Sequence, residues 1–363
     1  MIRILHTEAS PGWGGQELRI LKEAMGMRER GYELFFALQE NSPLVKEARE
    51  AGFCVYEIPF QKKTILQAVY MLYRLLKKHE ITVINTHSSL DAWIGGVVAR
   101  IYGCKVIRTR HLSTPIKEGW NSRILYNWLA DRVITTCQEV VPKICNQARL
   151  PLDRCLSIPT GVDPTRIVCP PNEVQNFRKQ WGIAPDEIVA GTLCVLRGWK
   201  GVSDLMQAAF LLKDVKKLKW MVVGGGVSEK EMHREWKELG LEDKVIFTGH
   251  IAPPYIPLAA MDIFLLLSWA NEGVSQASLQ AAFLGKPLVT TRIGGLPEVC
   301  IEGKTGYQVD PRAPHQVARS VKKLMRSPNK RAKMGEKARL LVEQQFTLAK
   351  TLDAMEDVYR QLV

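Results

Sequence analysis

No two cysteines of this chain stand in a C-x-x-C pair, and no histidine cluster accompanies them at zinc-site spacing. The eight, at 54, 104, 137, 145, 155, 169, 194 and 300, read as reduced core residues of a cytosolic protein. Long apolar runs are missing too. None approaches the roughly 20 residues needed to span a bilayer. Ile2-Arg3-Ile4-Leu5 reads directly as a first strand with no charged-then-apolar leader, so the expected location is the cytoplasm. No Asp-x-Asp stands at a strand end to hold a metal, and no G-x-G-x-x-G supports a dinucleotide. The absence of an aromatic-basic module puts nucleic acid last among partners. Repeats and low-complexity segments are absent.

What is present suits a globular protein of two ordinary domains. The chain has 363 residues, 46% of them hydrophobic and 24% charged, enough for two real cores and too apolar for disorder. Its 50 Lys+Arg against 37 Asp+Glu give a net charge of +13. That excess suits phosphate-bearing ligands, nucleic acid or an anionic membrane surface without choosing among them.

The most informative stretch is Trp269 to Pro287, WANEGVSQASLQAAFLGKP. It follows Ile263-Phe264-Leu265-Leu266-Leu267, an apolar run that reads as a buried parallel strand. Asn271, Glu272 and Gly273 form a polar loop, and Ser275 is placed to cap a helix. Backbone N–H groups of Val274, Ser275 and Gln276 at the helix start suit an anion. A carboxylate beside an anion-binding helix start fits a ligand with both hydroxyls and phosphates, such as a sugar nucleotide. An ordinary strand–loop–helix unit with a solvated Glu would show the same residues.

This stretch resembles the donor-site signature of retaining glycosyltransferases of the GT-B fold, family 4. That signature has two glutamates separated by seven residues, the first before Gly and the second before Ala. Glu272-Gly273 matches the first; Gln280-Ala281 stands at the second. Gln can accept from a ribose hydroxyl, but without a charge-assisted bond. The resemblance implies an α/β chain of two Rossmann-like β/α/β domains facing a central cleft. The expected acceptor-binding domain is 1–165, the nucleotide-sugar domain 166–347, and 348–363 a helix returning toward the first.

The rest of the chain alternates strands and helices, as in parallel sheets wrapped by helices. A glycine-rich turn with Gly14-Gly15 follows the first strand, and such a turn lets backbone approach a ligand closely. In the resembled family this loop lies over the donor diphosphate. Between Thr64 and His79, Ile65, Val69, Leu72 and Leu76 make an apolar helical stripe flanked by Lys62, Lys63, Lys77, Lys78 and Tyr73. A solvated face is the plainer reading; in the family such surfaces meet membranes or lipid-linked acceptors.

His87 and His111 close successive strands, and residues at the carboxyl ends of parallel strands face the ligand crevice. A lone histidine is more often a packing residue; two at successive strand ends shift that balance. The resemblance places His111 against the donor sugar and His87 on the acceptor side. Arg108 and Arg110 are candidates for an anionic acceptor group, or are solvated. Pro159-Thr160-Gly161-Val162-Asp163 matches the family segment that closes the first domain, with Cys169-Pro170-Pro171-Asn172 a stiff hinge beyond it. A strand Val189–Leu196 then leads to Arg197 and Lys200-Gly201, the cations that in the family neutralise the leaving diphosphate without a metal. Gly249-His250 matches the segment flanking the donor base.

These features imply a metal-independent, retaining transfer from a nucleotide-sugar to a glycan or lipid-linked acceptor, with no cofactor beyond that co-substrate. His111, Glu272, Lys200 and Arg197 would be catalytic. Gly14, Gly15, Gly249, His250, Val274, Ser275, Gln276 and Gln280 would bind the donor; His87, Arg108 and Arg110 would serve the acceptor. The His6–Gly15 segment and Asn85-Thr86-His87-Ser88 look most like bacterial lipopolysaccharide or polysaccharide transferases, with peripheral contact to the inner membrane surface. Two alternatives are a nucleotide-sugar epimerase of the same fold and a non-catalytic sugar-nucleotide sensor. The first would interconvert donors without an acceptor.

Overall fold

The computed structural model describes residues 2–363. The chain divides into two units, one running to Thr160 and resuming over Ala349–Val363, the other Gly161–Leu348. The first unit holds β1 (Arg3–Glu8), β2 (Glu33–Gln39), β3 (Cys54–Ile58), β4 (Val83–Thr86), β5 (Lys105–Arg110), β6 (Arg132–Thr135) and β7 (Cys155–Ser157). All pair in parallel, in the order β3-β2-β1-β4-β5-β6-β7. The second unit holds β8 (Ile188–Leu193), β9 (Leu218–Val223), β10 (Val245–Gly249), β11 (Ile263–Leu266), β12 (Leu288–Thr291) and β13 (Gly306–Val309), again parallel, in the order β10-β9-β8-β11-β12-β13.

Both sheets are doubly wound: the chain runs outward from a central strand on one side, then returns to build the other. Central strands are buried on both faces and read as continuous apolar runs, which is why β11 has no alternation and every residue of it is buried. In the second unit, Trp220, Ile263, Leu265 and Val289 pack with Leu205, Met206, Val317 and Val321 of the covering helices.

Several elements depart from expectation. The strand expected to reach Leu196 ends at Leu193, and the next residues continue as an extended loop, with Cys194 N–H on the Val223 carbonyl at 3.1 Å and Leu196 N–H on Gly225 at 3.0 Å. Pro171 is not part of a hinge: it opens the helix Pro171–Gln180, where its missing N–H costs nothing. The unit boundary falls at Thr160/Gly161 instead of beyond residue 165. Val162 explains the shift, since its N–H donates to Phe346 at 2.8 Å and its carbonyl accepts from Leu348 at 2.7 Å.

The helix Ile65–Lys78 buries Ala68, Leu72, Leu75 and Leu76, whereas Ile65 is exposed and Val69 half-buried. Packing on the neighbouring helix Ser89–Tyr102 rotates the buried face away from the expected stripe. The final helix, Leu348–Leu362, packs within the first unit. Its Tyr359 hydroxyl donates to Glu23 at 3.1 Å and accepts from Asn85 at 3.2 Å. No helix among the described residues is long and apolar enough to cross a membrane.

Candidate functional site

In the second unit the strand order reverses between β8 and β11. Ligands of open parallel sheets bind outside the carboxyl ends at such a point. The loop after β8 and the loop after β11 are tied together there: Trp269 N–H donates to the Trp199 carbonyl at 2.9 Å and its indole Nε1 to Gly198 at 3.3 Å. Gly201 and Gly294 permit the close approach. Both have left-handed φ, 70° and 55°, and an added Cβ would lie 2.1 Å from the Leu267 carbonyl oxygen and 1.7 Å from that of Glu272.

This folding brings Lys200 and Glu272 into a direct ion pair. Ser268, fully buried at the end of β11, donates from Oγ to the same Oε1 at 2.7 Å. Glu272 is 5% exposed. Its Oε2 takes no hydrogen bond from any described residue. Lys200 has three donors and commits one to Glu272. A buried carboxylate with one oxygen free, next to a cation with spare donors, can take a hydroxyl and a phosphate side by side.

The other second-unit residues expected to bind the donor lie at or after the carboxyl ends of β8, β10 and β11. Arg197 is exposed, its guanidinium over the Trp199 ring at 5.3 Å, so it is not joined to the Lys200–Glu272 pair. Ser275 caps the helix Gln276–Phe283, accepting from Ser278 N–H at 3.4 Å. Val274 is buried beside it. Gln276 turns its Nε2 to the Gly161 carbonyl at 3.3 Å, and Gln280, one turn on along the same face, is half-buried. Gly249 (φ 73°) accepts from Gly224 N–H at 2.9 Å, with His250 exposed after it.

The first unit reverses between β1 and β4, and its polar cluster gathers there. His6 Nδ1 lies 2.9 Å from His87 Nε2, and His87 Nδ1 lies 3.0 Å from His111 Nε2. His6 and His87 are 0% and 2% exposed, and His111 is half-buried. Burial pushes His6 down to about 3. Burial also lowers His87, helped by His111, His6, Arg108 and Arg19; it lowers His111, helped by Arg19, Arg108 and His6. All three rings are neutral at pH 7. They run in line instead of converging, and no group of three His, Cys, Asp or Glu among the described residues is arranged as a metal site.

Around them the ends of β1 and β4 are laced together. Asp91 accepts from His87 N–H, Ser88 N–H and Thr7 Oγ1, each at 2.8 Å, forming a capping box with Ser88 at the helix Ser89–Tyr102. Glu8, 1% exposed, accepts from Ser10 N–H at 2.7 Å and from Gln16. Burial, then the nearby Asp91 charge, raise its carboxyl to about 7. Desolvation raises Asp91 as well, against opposing Arg108.

His87 is thus sealed behind His111, with both nitrogens occupied, and does not line an open acceptor surface. Arg108 is 5% exposed and donates to the Thr86 carbonyl at 3.2 Å; Arg110 donates to the Tyr126 hydroxyl at 3.0 Å and to Thr114 Oγ1 at 2.8 Å. Arg108 is buried and Arg110 half-buried, and both brace the strand ends. Gly14 is extended (φ −173°) and Gly15 opens the helix Gly15–Glu29. An added Cβ would meet Glu17 at 3.6 Å from Gly14 and nothing within 4 Å from Gly15. The protein itself leaves that turn open.

Sequence reasoning missed His6, Glu8, Asp91, Arg19 and Ser268. His6, Glu8 and Ser268 were within reach, since each lies at or beside the carboxyl end of a strand next to a switch point. Arg19 and Asp91 sit on helices and carry no such signal.

Two doubly wound parallel units in one chain, each with a polar cluster at its own switch point, define a GT-B protein. Solved structures share the fold. Anabaena HepE in complex with UDP and glucose superposes with a TM-score of 0.86 at 23% identity over 100% of both chains. A glycosyltransferase from Rickettsia africae gives 0.90 at 18% identity, over 99% of this chain and 98% of that one. The family model described as Glycosyltransferase Family 4 matches residues 13–166, and that described as Glycosyl transferases group 1 matches residues 173–341. The chain belongs to the group 1 glycosyltransferases of the GT-B fold.

Among curated relatives, the N-acetyl-alpha-D-glucosaminyl L-malate synthase of Bacillus anthracis is 31% identical over 187 residues, 52% of this chain and 49% of that protein. The match thus spans about half of that relative's length. The D-inositol 3-phosphate glycosyltransferase of Corynebacterium glutamicum is 24% identical over 391 aligned positions, 96% of this chain and 92% of that protein.

Proposed function

We propose that this protein moves a sugar from a nucleotide-sugar donor to a glycan or lipid-linked acceptor, with retention and without a metal, in lipopolysaccharide or polysaccharide biosynthesis. The observation that carries the reading is the Lys200–Glu272 pair at the β8/β11 switch point. Lys200 would turn its spare donors to the diphosphate and stabilise the charge that grows there as the glycosidic bond breaks. Glu272 Oε2 would accept from donor-sugar hydroxyls. Arg197, exposed on the same loop, would add a second cation.

Neither of the carboxylates gathered at the β1/β4 strand ends is free to act as a nucleophile. Asp91 is consumed by its capping box and Glu8 is closed by Ser10 and Gln16. This favours a front-face reaction, in which the leaving phosphate takes the acceptor proton, over the two-carboxylate scheme of glycosidases. The UDP and glucose held by HepE support a nucleoside diphosphate sugar as donor. On the acceptor side, a first-unit cavity of about 470 Å³ is walled by Trp93, Trp120 and Tyr126, with Ser89, Lys117 and Asn121 as polar partners. Aromatic faces and a few polar groups suit a sugar ring.

A thermal-shift screen of UDP, GDP, ADP and their sugars, run in EDTA, tests the donor. One nucleoside diphosphate is expected to raise the melting temperature, and Lys200→Ala to abolish the rise. No response to any of them contradicts the reading. With the matching donor, Glu272→Ala is expected to lower kcat by about 100-fold or more while the protein stays folded by circular dichroism. Normal turnover in that variant would remove Glu272 from the site.

A further inference from the structure

We infer that His6 and His87 fix His111 in its Nδ1–H tautomer, so that His111 meets its ligand as a neutral hydrogen-bond donor. The geometry is two ring-to-ring hydrogen bonds in series, His6 Nδ1 to His87 Nε2 at 2.9 Å and His87 Nδ1 to His111 Nε2 at 3.0 Å. His87 has no nitrogen to spare. A neutral imidazole is a donor at one nitrogen and an acceptor at the other. The chain can therefore point its protons only one of two ways.

In the first arrangement His6 donates from Nδ1 to His87, and His87 donates from Nδ1 to His111 Nε2. His111 then carries its proton on Nδ1, and His6 Nε2 is a bare lone pair. In the second every bond is reversed. His111 donates from Nε2 and keeps a lone pair on Nδ1, while His6 must carry an N–H at Nε2. His6 Nε2 decides between them, because it is buried and meets no partner among the described residues. An orphaned buried N–H is rarer than an under-satisfied acceptor. The first arrangement is therefore preferred.

A third arrangement, with a doubly protonated His87 donating both ways, would place a cation in a buried site beside Arg19 and Arg108. Burial and both guanidiniums oppose it. The rings lie edge to edge in line: His6 and His87 centroids are 5.2 Å apart at 14°, His87 and His111 5.2 Å apart at 36°.

His111 Nδ1 has no partner among the described residues and is not closed off by burial. Resting on the transferase reading above, that N–H would be offered to an oxygen of the ligand that meets the first unit's strand ends, and a neutral donor does so without adding positive charge there. His87 and His6 are positioning residues: they touch no substrate and act through His111.

The tautomer can be read without any substrate. Long-range ¹H–¹⁵N correlation on full-length protein with ¹⁵N-labelled histidine, assigned with His111→Gln, should show His111 protonated at Nδ1 and bare at Nε2. A proton on Nε2, or two averaged tautomers, overturns the inference whether or not the protein transfers sugar. His87→Gln and His87→Phe supply the functional arm with the donor found by screening. Gln offers an oxygen to His6 and an N–H to His111, whereas Phe only fills the space. His87→Phe should average the His111 tautomers and lower kcat about tenfold, as expected for one hydrogen bond made in the transition state. His87→Gln should retain several-fold more of kcat. Equal losses in both variants would make His87 a packing residue and contradict the inference.

Discussion

Gln280 is the residue at which this chain leaves the two-glutamate signature, and it lies half-buried one turn beyond Gln276 on the helix Gln276–Phe283. A neutral hydrogen bond is worth roughly 0.5–1.5 kcal/mol against about 1.5–3 for one to a charged group. Gln280→Glu is therefore expected to tighten nucleoside diphosphate binding by up to about tenfold in titration calorimetry. Unchanged affinity in both Gln280→Glu and Gln280→Ala would show that the side chain does not reach the ribose. Glu8 gives a second residue-scale expectation. Its carboxyl is pushed up to about 7 from an ordinary 4.5, so the folded protein holds this proton more tightly than the unfolded chain. That contribution is complete below about pH 4.5 and is lost as the pH rises through about 7. Glu8→Gln removes the loss and should raise stability at pH 8 by on the order of 1–3 kcal/mol, with little gain at pH 4.5. Thermal melts at the two pH values check this, and a variant that tracks wild type at both contradicts it.

Elements were legible where a strand is long and apolar or a glycine turn follows it. β1, β4, β5 and β11 could be placed because their buried residues run without interruption. The face that a helix buries was less legible. Ile65–Lys78 has apolar residues all around, and only its packing partner selects Ala68, Leu72, Leu75 and Leu76. The outcome leaves Leu66 85% and Tyr70 61% exposed, with Ile101 of the adjacent helix at 66%. Lys62 and Lys63 precede the helix and Lys77 and Lys78 end it, all exposed, with Lys78 donating to the Tyr56 hydroxyl at 3.1 Å. Exposed apolar residues on a helix with lysines at both ends are the face an anionic lipid surface would meet. The protein is expected to sediment with vesicles containing phosphatidylglycerol and not with phosphatidylcholine alone. Leu66→Asp with Tyr70→Asp should weaken that binding by about tenfold or more. Equal binding to both vesicle types would contradict the surface.

For the whole molecule, the sequence carried the doubly wound class and the Lys200–Glu272 loops because each is a local pattern. It did not carry the imidazole chain. His6, His87 and His111 come from three strand ends, and only the sheet order β1-β4-β5 makes them neighbours. Their contacts depend on which strand lies beside which, and spacing along the chain does not encode that. The central claim is retaining transfer from a sugar nucleotide with a lysine and a helix start in place of a metal. Proton NMR of the reaction with the matching α-linked donor, in excess EDTA, tests it most directly. The first-formed product, on acceptor or on water, is expected to keep the α configuration, with the nucleoside diphosphate released in equal amount. A β product, or a reaction that stops in EDTA and restarts with Mg²⁺ or Mn²⁺, would contradict the account.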